Sequence, residues 1–248
     1  MKMQYGLIGW PLGHSFSRDF FTKKFCNEGI DAEYLNFEIP EASRLLQIIQ
    51  EHPLLKGVNV TLPHKQAVIP LLDELSQEAA AIGAVNVIRI TRSPNGEPYL
   101  KGFNSDVIGF TDSIRPLLKP HHQKALVLGT GGASKAICHG LEKLGVEWTY
   151  VSRNSAPNRL TYSQLTPSFM QAYTVIVNCS PVGMFPNVDH CPAIPYEYLT
   201  PNHLLYDIVY NPTTTLFMKH GAEHGSTVKN GIEMLERQAI ASWEFWNS

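Results

Sequence analysis

No stretch of this sequence is dense enough in lysine and arginine to follow a phosphate backbone. Its 248 residues carry 20 basic and 22 acidic side chains, a formal net charge of −2. That balance gives no reason to expect nucleic acid as a partner. Long apolar runs are lacking too. The longest, such as Ala79 to Val85, fall far short of the roughly 20 residues that span a bilayer. A strand-like YGLIGW is reached by residue 10, which leaves no room for a signal peptide. Cysteine is scarce: Cys26, Cys138, Cys179 and Cys191 form no C-x-x-C pair. Zinc is therefore not indicated, and reduced thiols are expected. The expectation is a cytoplasmic protein without membrane contact. A hydrophobic fraction of 44% with 17% charged residues is that of a globular enzyme and excludes disorder.

What is present is an alternation of strand and helix signals. Tyr5–Trp10, Glu33–Ile39, Gly57–Leu62 and Val85–Thr91 read as strands. Arg18–Glu28 and Glu41–Glu51 read as helices, the latter with Leu45, Leu46, Ile48 and Ile49 as its apolar stripe. Lys65–Leu75 and Ser76–Ile82 read as helical, Ser76 being a candidate cap. Ser93–Pro98 (SPNGEP) supplies hairpin chemistry before a further strand, Tyr99–Phe103. A second pattern begins near residue 124: KALVLG, a glycine turn, a helix over Lys135–Leu144 ended by Gly145, then strands VEWTYVS, YTVIVNCS and HLLYDIVY. Only a stunted crossover fits between Ser155 and Gln171, which holds Pro157 and Pro167. Ile232 to Trp246 is helical and is expected to pack back on the first domain. The fold class is α/β in two domains. Residues 1–104 plus 230–248 form a substrate domain with a mixed sheet, and 105–229 form a Rossmann-like, doubly wound dinucleotide-binding domain.

The turn G-T-G-G-A-S, Gly129 to Ser134, follows a strand and opens a helix. Gly129 permits the tight turn, Gly131 lets the backbone approach a pyrophosphate, and the helix N-terminus offers free N–H groups to phosphate. Dinucleotide sites specific for NAD place Asp or Glu about 20 residues further on. Here that place holds Ser152, Arg153 and Asn154, with no carboxylate. A guanidinium suits a 2′-phosphate, so NADP is the expected cofactor. The alternative for Arg153 is a solvated loop charge.

Three polar segments of the first domain ask for explanation. GHSFS (Gly13–Ser17) places two hydroxyls two residues apart, suited to a carboxylate; Ser15 or Ser17 is equally a candidate helix cap. In NVTLPHK, Asn59 and Thr61 share a strand face, and Lys65 lies just past the strand's C-terminal end, where open α/β sheets bind ligands. Asn104-Ser105-Asp106 follows another strand, with Asn86 on its neighbour. His14 and His64 sit inside these motifs but read as structural, hydrogen-bonding loop backbone.

Taken together, GWPLGHSFS, GVNVTLPHK, IGAVNVI, GFNSD, VLGTGGAS, NCSPVGM and NGIEMLERQA stand in the order and spacing of one family, and the chain resembles shikimate dehydrogenase along essentially its whole length. The resemblance implies reversible, NADPH-dependent reduction of 3-dehydroshikimate to shikimate, in chorismate and aromatic amino-acid biosynthesis. It implies Lys65 and Asp106 as the catalytic pair. Ser15 and Ser17 would hold the substrate carboxylate with Tyr210, and Thr61, Asn86 and Gln238 the ring hydroxyls. On the cofactor side it implies Gly129, Gly131, Gly132 and Ala133 at the phosphates, and Ser152, Arg153 and Asn154 as the NADP clamp. Gly183 and Met184 would line the nicotinamide pocket, and Gly231 and Met234 fall in the last motif. The sequence departs from the family at Arg18, where Pro is usual, at Ser105, where Thr is commoner, and in the clamp. Quinate with NAD, or a silent cofactor-binding homologue, are the alternative readings; the oligomer is expected to be a monomer or homodimer.

Overall fold

The structure is a computed structural model and describes residues 2–13 and 16–248. The chain divides into two compact units, Met1–Ser105 with Gln238–Ser248, and Asp106–Arg237.

The first unit is built on β1 (Met3–Gly9), α1 (Phe16–Glu28), β2 (Ala32–Glu38), α2 (Arg44–Glu51), β3 (Leu55–Val60), β4 (Glu74–Leu75), α3 (Gln77–Ile82), β5 (Val87–Arg92) and β6 (Pro98–Phe103). The strands form one sheet in the order β2-β1-β3-β5-β6-β4. It is mixed: β1 runs parallel to β2 and β3, whereas β5 is antiparallel to both β3 and β6. Alternation along each strand sends side chains to two cores. Ile8, Val58, Val60, Ile88 and Ile90 face the stripe of α2 (Leu45, Ile48, Ile49). Tyr5, Leu7, Tyr34 and Val87 face Phe21, Phe25, Ala239 and Trp246 on the opposite side. Gly57 sits on that second face because a Cβ there would lie 2.2 Å from the Trp246 ring.

Between β3 and β4 the structure departs from expectation. Residues 65–73 form turns and a single 3-10 turn, Ile69–Leu71, before β4, and not the expected helix over Lys65–Leu75. Pro70 has no N–H to donate and biases Ile69 away from helical geometry, so the apolar periodicity there does not propagate. Ser76 does cap α3, accepting from the Ala79 amide at 3.1 Å.

The second unit comprises α4 (Asp106–Ile114), β7 (Lys124–Leu128), α5 (Gly132–Lys143), β8 (Glu147–Ser152), β9 (Arg159–Thr161), α6 (Pro167–Ala172), β10 (Val175–Asn178), β11 (Leu204–Asp207), α7 (Leu216–Glu223) and β12 (Thr227–Lys229). Helix α8 (Ile232–Trp246) begins here, and the division between the units falls within it. The sheet order is β12-β11-β10-β7-β8-β9 and every pairing is parallel. Its central strands β7, β10 and β11 are buried on both faces, against Phe110, Ile137 and Leu141 on one side and Leu165, Met170 and Phe217 on the other, which is the doubly wound arrangement. The chain winds outward in opposite directions from β7 and β10, so the strand order reverses between them. Such a switch point opens a crevice at the strands' C-terminal ends. No helix among the described residues is long and apolar enough to cross a membrane. All four cysteines are free, and burial pushes the Cys138 thiol up to about 12 and Cys179 well above its ordinary value.

Candidate active site

In the first unit a chain of buried polar groups runs across the face that α8 covers. The Tyr34 hydroxyl, which burial keeps protonated and which Ser17 contacts, donates to Asn59 Oδ1 at 2.8 Å. Asn59 Nδ2 donates to Ser242 Oγ at 2.9 Å, and Ser242 Oγ to the Gln238 carbonyl at 2.7 Å. Ser105 joins this chain to Asn86: its amide donates to Asn86 Oδ1 at 2.7 Å, and its hydroxyl accepts from Asn86 Nδ2 at 2.9 Å. The same hydroxyl lies 3.1 Å from Ser242 Oγ and donates to Gln238 Oε1 at 3.3 Å. Asn86 and Gln238 therefore have their amides oriented by one serine. So many buried polar groups are tolerated only because they satisfy one another.

Around this cluster stand the other expected residues. Ser17 is the second residue of α1, inside the first turn, so the helix-cap reading does not apply to it. Ser15 and His14 lie outside the described residues. Thr61 directly follows β3, its amide donating to the Ile8 carbonyl at 3.0 Å, and Gly9 leaves room for its methyl group. His64 is 3% exposed and its Nε2 donates to the Ile39 carbonyl at 2.7 Å, a backbone role. Lys65 is half-buried, and its carbonyl accepts from the Val85 amide at 2.8 Å. Asp106 is buried and opens α4 directly after Ser105.

In the second unit a cavity of about 410 Å³ lies at the C-terminal ends of β7 and β10, lined by Gly129, Gly131, Ser152, Arg153, Ser180 and Val182, among others. Gly129 has φ +99°, a conformation that other residues rarely adopt, and its Cα faces Ser180. A Cβ added at Gly131 would meet nothing within 4 Å, so the turn keeps its cavity side clear. Gly132 and Ala133 form the first turn of α5, whose N-cap Gly131 offers no side-chain partner to the first amides. An anionic group is what such a terminus accepts. Arg153 and Asn154 are exposed at the rim, whereas the Ser152 hydroxyl turns onto the Asn154 carbonyl at 2.6 Å.

Arg159 also lines this cavity, and reading the clamp position alone missed it. Asn158, at φ 60°, turns the chain so that β9 pairs with the end of β8 and the Arg159 guanidinium comes 5.9 Å from the Tyr150 ring. Two arginines thus line one cavity. The signal available was a second arginine six residues on, across a stunted crossover. Gly183 is buried at φ +88°, and Met184 and Tyr210 are exposed. Gly231 packs on backbone: a Cβ there would lie 2.2 Å from the Ile208 carbonyl oxygen. Met234 belongs to the core beneath α4 and α5.

Comparison with known proteins identifies the family. Residues 7–88 match the model of the shikimate dehydrogenase substrate binding domain. A shikimate dehydrogenase (NADP(+)) of Caldanaerobacter subterraneus is 35% identical over 98% of this chain and 90% of its own length. The chorismate mutase/shikimate 5-dehydrogenase fusion protein of Clostridium acetobutylicum superposes with a TM-score of 0.88 at 32% identity, over 100% of this chain and 92% of the other. Shikimate 5-dehydrogenase of Thermus thermophilus, solved in complex with NADP(H) and shikimate, gives 0.84 at 28% identity, over 98% and 93%. The chain belongs to the shikimate dehydrogenase family.

Proposed function

We propose that this protein catalyses the reversible, NADPH-dependent reduction of 3-dehydroshikimate to shikimate, acting in the cytoplasm as a monomer or homodimer. The observation that carries this reading is the pairing of two chemistries in one chain: a dinucleotide crevice bordered by two arginines, and a buried amide cluster flanked in sequence by Lys65 and Asp106.

Bound NADPH would supply hydride for the ketone carbon. Lys65 gives its proton to the carbonyl oxygen as negative charge develops there, and takes it back in the oxidative direction. Asp106 orients the ammonium and a ring hydroxyl. Asn86, Gln238 and Thr61 bind the ring hydroxyls, while Ser15, Ser17 and Tyr210 bind the carboxylate. Gly129, Gly131, Gly132 and Ala133 hold the pyrophosphate, and Arg153, with Ser152, Asn154 and Arg159, the 2′-phosphate. Gly183, Met184 and Gly231 shape the nicotinamide end.

The direct test is spectrophotometric: purified protein with shikimate or quinate and either NADP or NAD, following absorbance of the reduced nicotinamide. Turnover is expected with shikimate and NADP. Faster turnover with quinate and NAD overturns the reading.

The hydrogen bonds of Ser105 lead to a narrower expectation. Ser105→Ala deprives two buried amides of one partner, so KM for shikimate should rise roughly tenfold, with KM for NADP within about twofold of wild type. Ser105→Thr, which restores the hydroxyl, should recover most of the loss. Equal rises in both KM values would show a general structural defect.

A further inference from the structure

Asp207 ends β11 and is fully buried in the second unit, yet the reaction above gives it nothing to do. Its Oδ2 accepts from Thr215 Oγ1 at 2.7 Å, and its Oδ1 accepts from the Val209 amide at 3.1 Å and Asn178 Nδ2 at 3.0 Å. Burial nevertheless pushes its carboxyl up to about 6, so it is ionised at neutral pH against the cost of desolvation. A buried charge is a poor device for stability alone, because an apolar residue of similar size packs without that cost.

The carboxylate does, however, tie two loops together. Asn178 passes the contact onward: its Oδ1 accepts from the Ser180 amide at 3.0 Å and from Ser180 Oγ at 2.6 Å, and its Nδ2 also reaches the Val182 carbonyl at 3.3 Å. Ser180 and Val182 line the dinucleotide cavity opposite Gly129. On the other side Thr215 caps α7, accepting from the Met218 amide at 3.4 Å. The Phe185 amide donates to the Asn211 carbonyl at 3.0 Å, so the loops after β10 and β11 are joined at a second point as well.

We propose that Asp207 is a positioning residue for the dinucleotide: acting through Asn178, its carboxylate holds the Ser180–Met184 loop at the height the cofactor requires. The proposal rests on the reading of the cavity as an NADP(H) site, and it assigns to a residue outside that cavity a share of cofactor affinity that substrate affinity does not have.

The test combines NADPH fluorescence titration with steady-state kinetics on wild type, Asp207→Asn, Asn178→Ala and the double variant. Asp207→Asn keeps the volume and one acceptor but puts an amide against Thr215. Its Kd for NADPH and KM for NADP should rise about tenfold, the scale of one hydrogen bond to a charged group, with KM for shikimate within about twofold. The double variant should lose no more than the worse single one, since both break one network. Should Asp207→Asn fail to fold, Asn178→Ala leaves charge and cap in place and carries the same expectation. An NADPH Kd unchanged in both single variants overturns the proposal, and so does a double variant whose losses multiply. A wild type that does not bind NADPH at all removes the reading of the cavity, and the proposal with it.

Discussion

Lys65→Ala is expected to lower turnover roughly a hundred- to ten-thousandfold, the range that a positioned proton donor contributes. NADPH affinity should stay near wild type, because Lys65 belongs to the first unit and the dinucleotide cavity to the second. The physical reason is charge development: as hydride arrives, the ketone oxygen becomes an alkoxide, and only a donor fixed beforehand stabilises it without reorganisation. The fixing is visible in the backbone. Lys65 directly follows buried His64, whose ring is tied to Ile39, and its own carbonyl is held by Val85. Single-turnover rates with pre-bound NADPH give the clean measurement. Unchanged turnover in the variant would remove Lys65 from the chemistry.

The second large effect concerns the coenzyme. Arg153→Ala and Arg159→Ala should each raise KM for NADP about ten- to a hundredfold, the scale of charge-assisted hydrogen bonds to phosphate, and leave KM for NAD nearly unchanged. The double variant should prefer NAD. Both arginines are exposed, so the wild-type advantage for NADP should shrink as salt is added. Parallel losses on NADP and NAD would mean that the arginines shape the loop and do not read the 2′-phosphate. Arg159 is the more informative of the two, since its place depends on the Asn158 turn.

The fold class and the family were legible because they rest on robust signals: apolar runs doubly buried in β7, β10 and β11, a glycine turn between strand and helix, and seven motifs in order. What escaped has physical causes. The turns at 65–73 looked helical because apolar spacing is blind to the missing amide of Pro70. Helix α4 gave no amphipathic stripe because it is buried nearly all round, with Gly109, Thr111 and Ser113 as well as Val107 and Phe110 in the core. Ser105 stood next to Asp106 in the sequence, but its partners Gln238 and Ser242 are more than a hundred residues away. Asp207 read as part of a strand, and only its three donors distinguish it from any other buried position.

Heat tolerance and coenzyme binding should favour opposite protonation states of Asp207. Its carboxyl titrates near 6 in the folded chain against 3.8 ordinarily. The stability its neutral form supplies is thus complete below about pH 4 and lost as pH rises through 6, a difference of about 3 kcal/mol. Cys179 and Tyr196, the ionisable neighbours that feel its charge, remain protonated throughout that window. Relative to wild type, Asp207→Asn should gain stability as pH rises from about 4 through 6, as urea titrations would record. The wild-type chain should therefore endure heat less well as pH rises through 6, the side of the titration on which the carboxylate that the coenzyme reading requires is present.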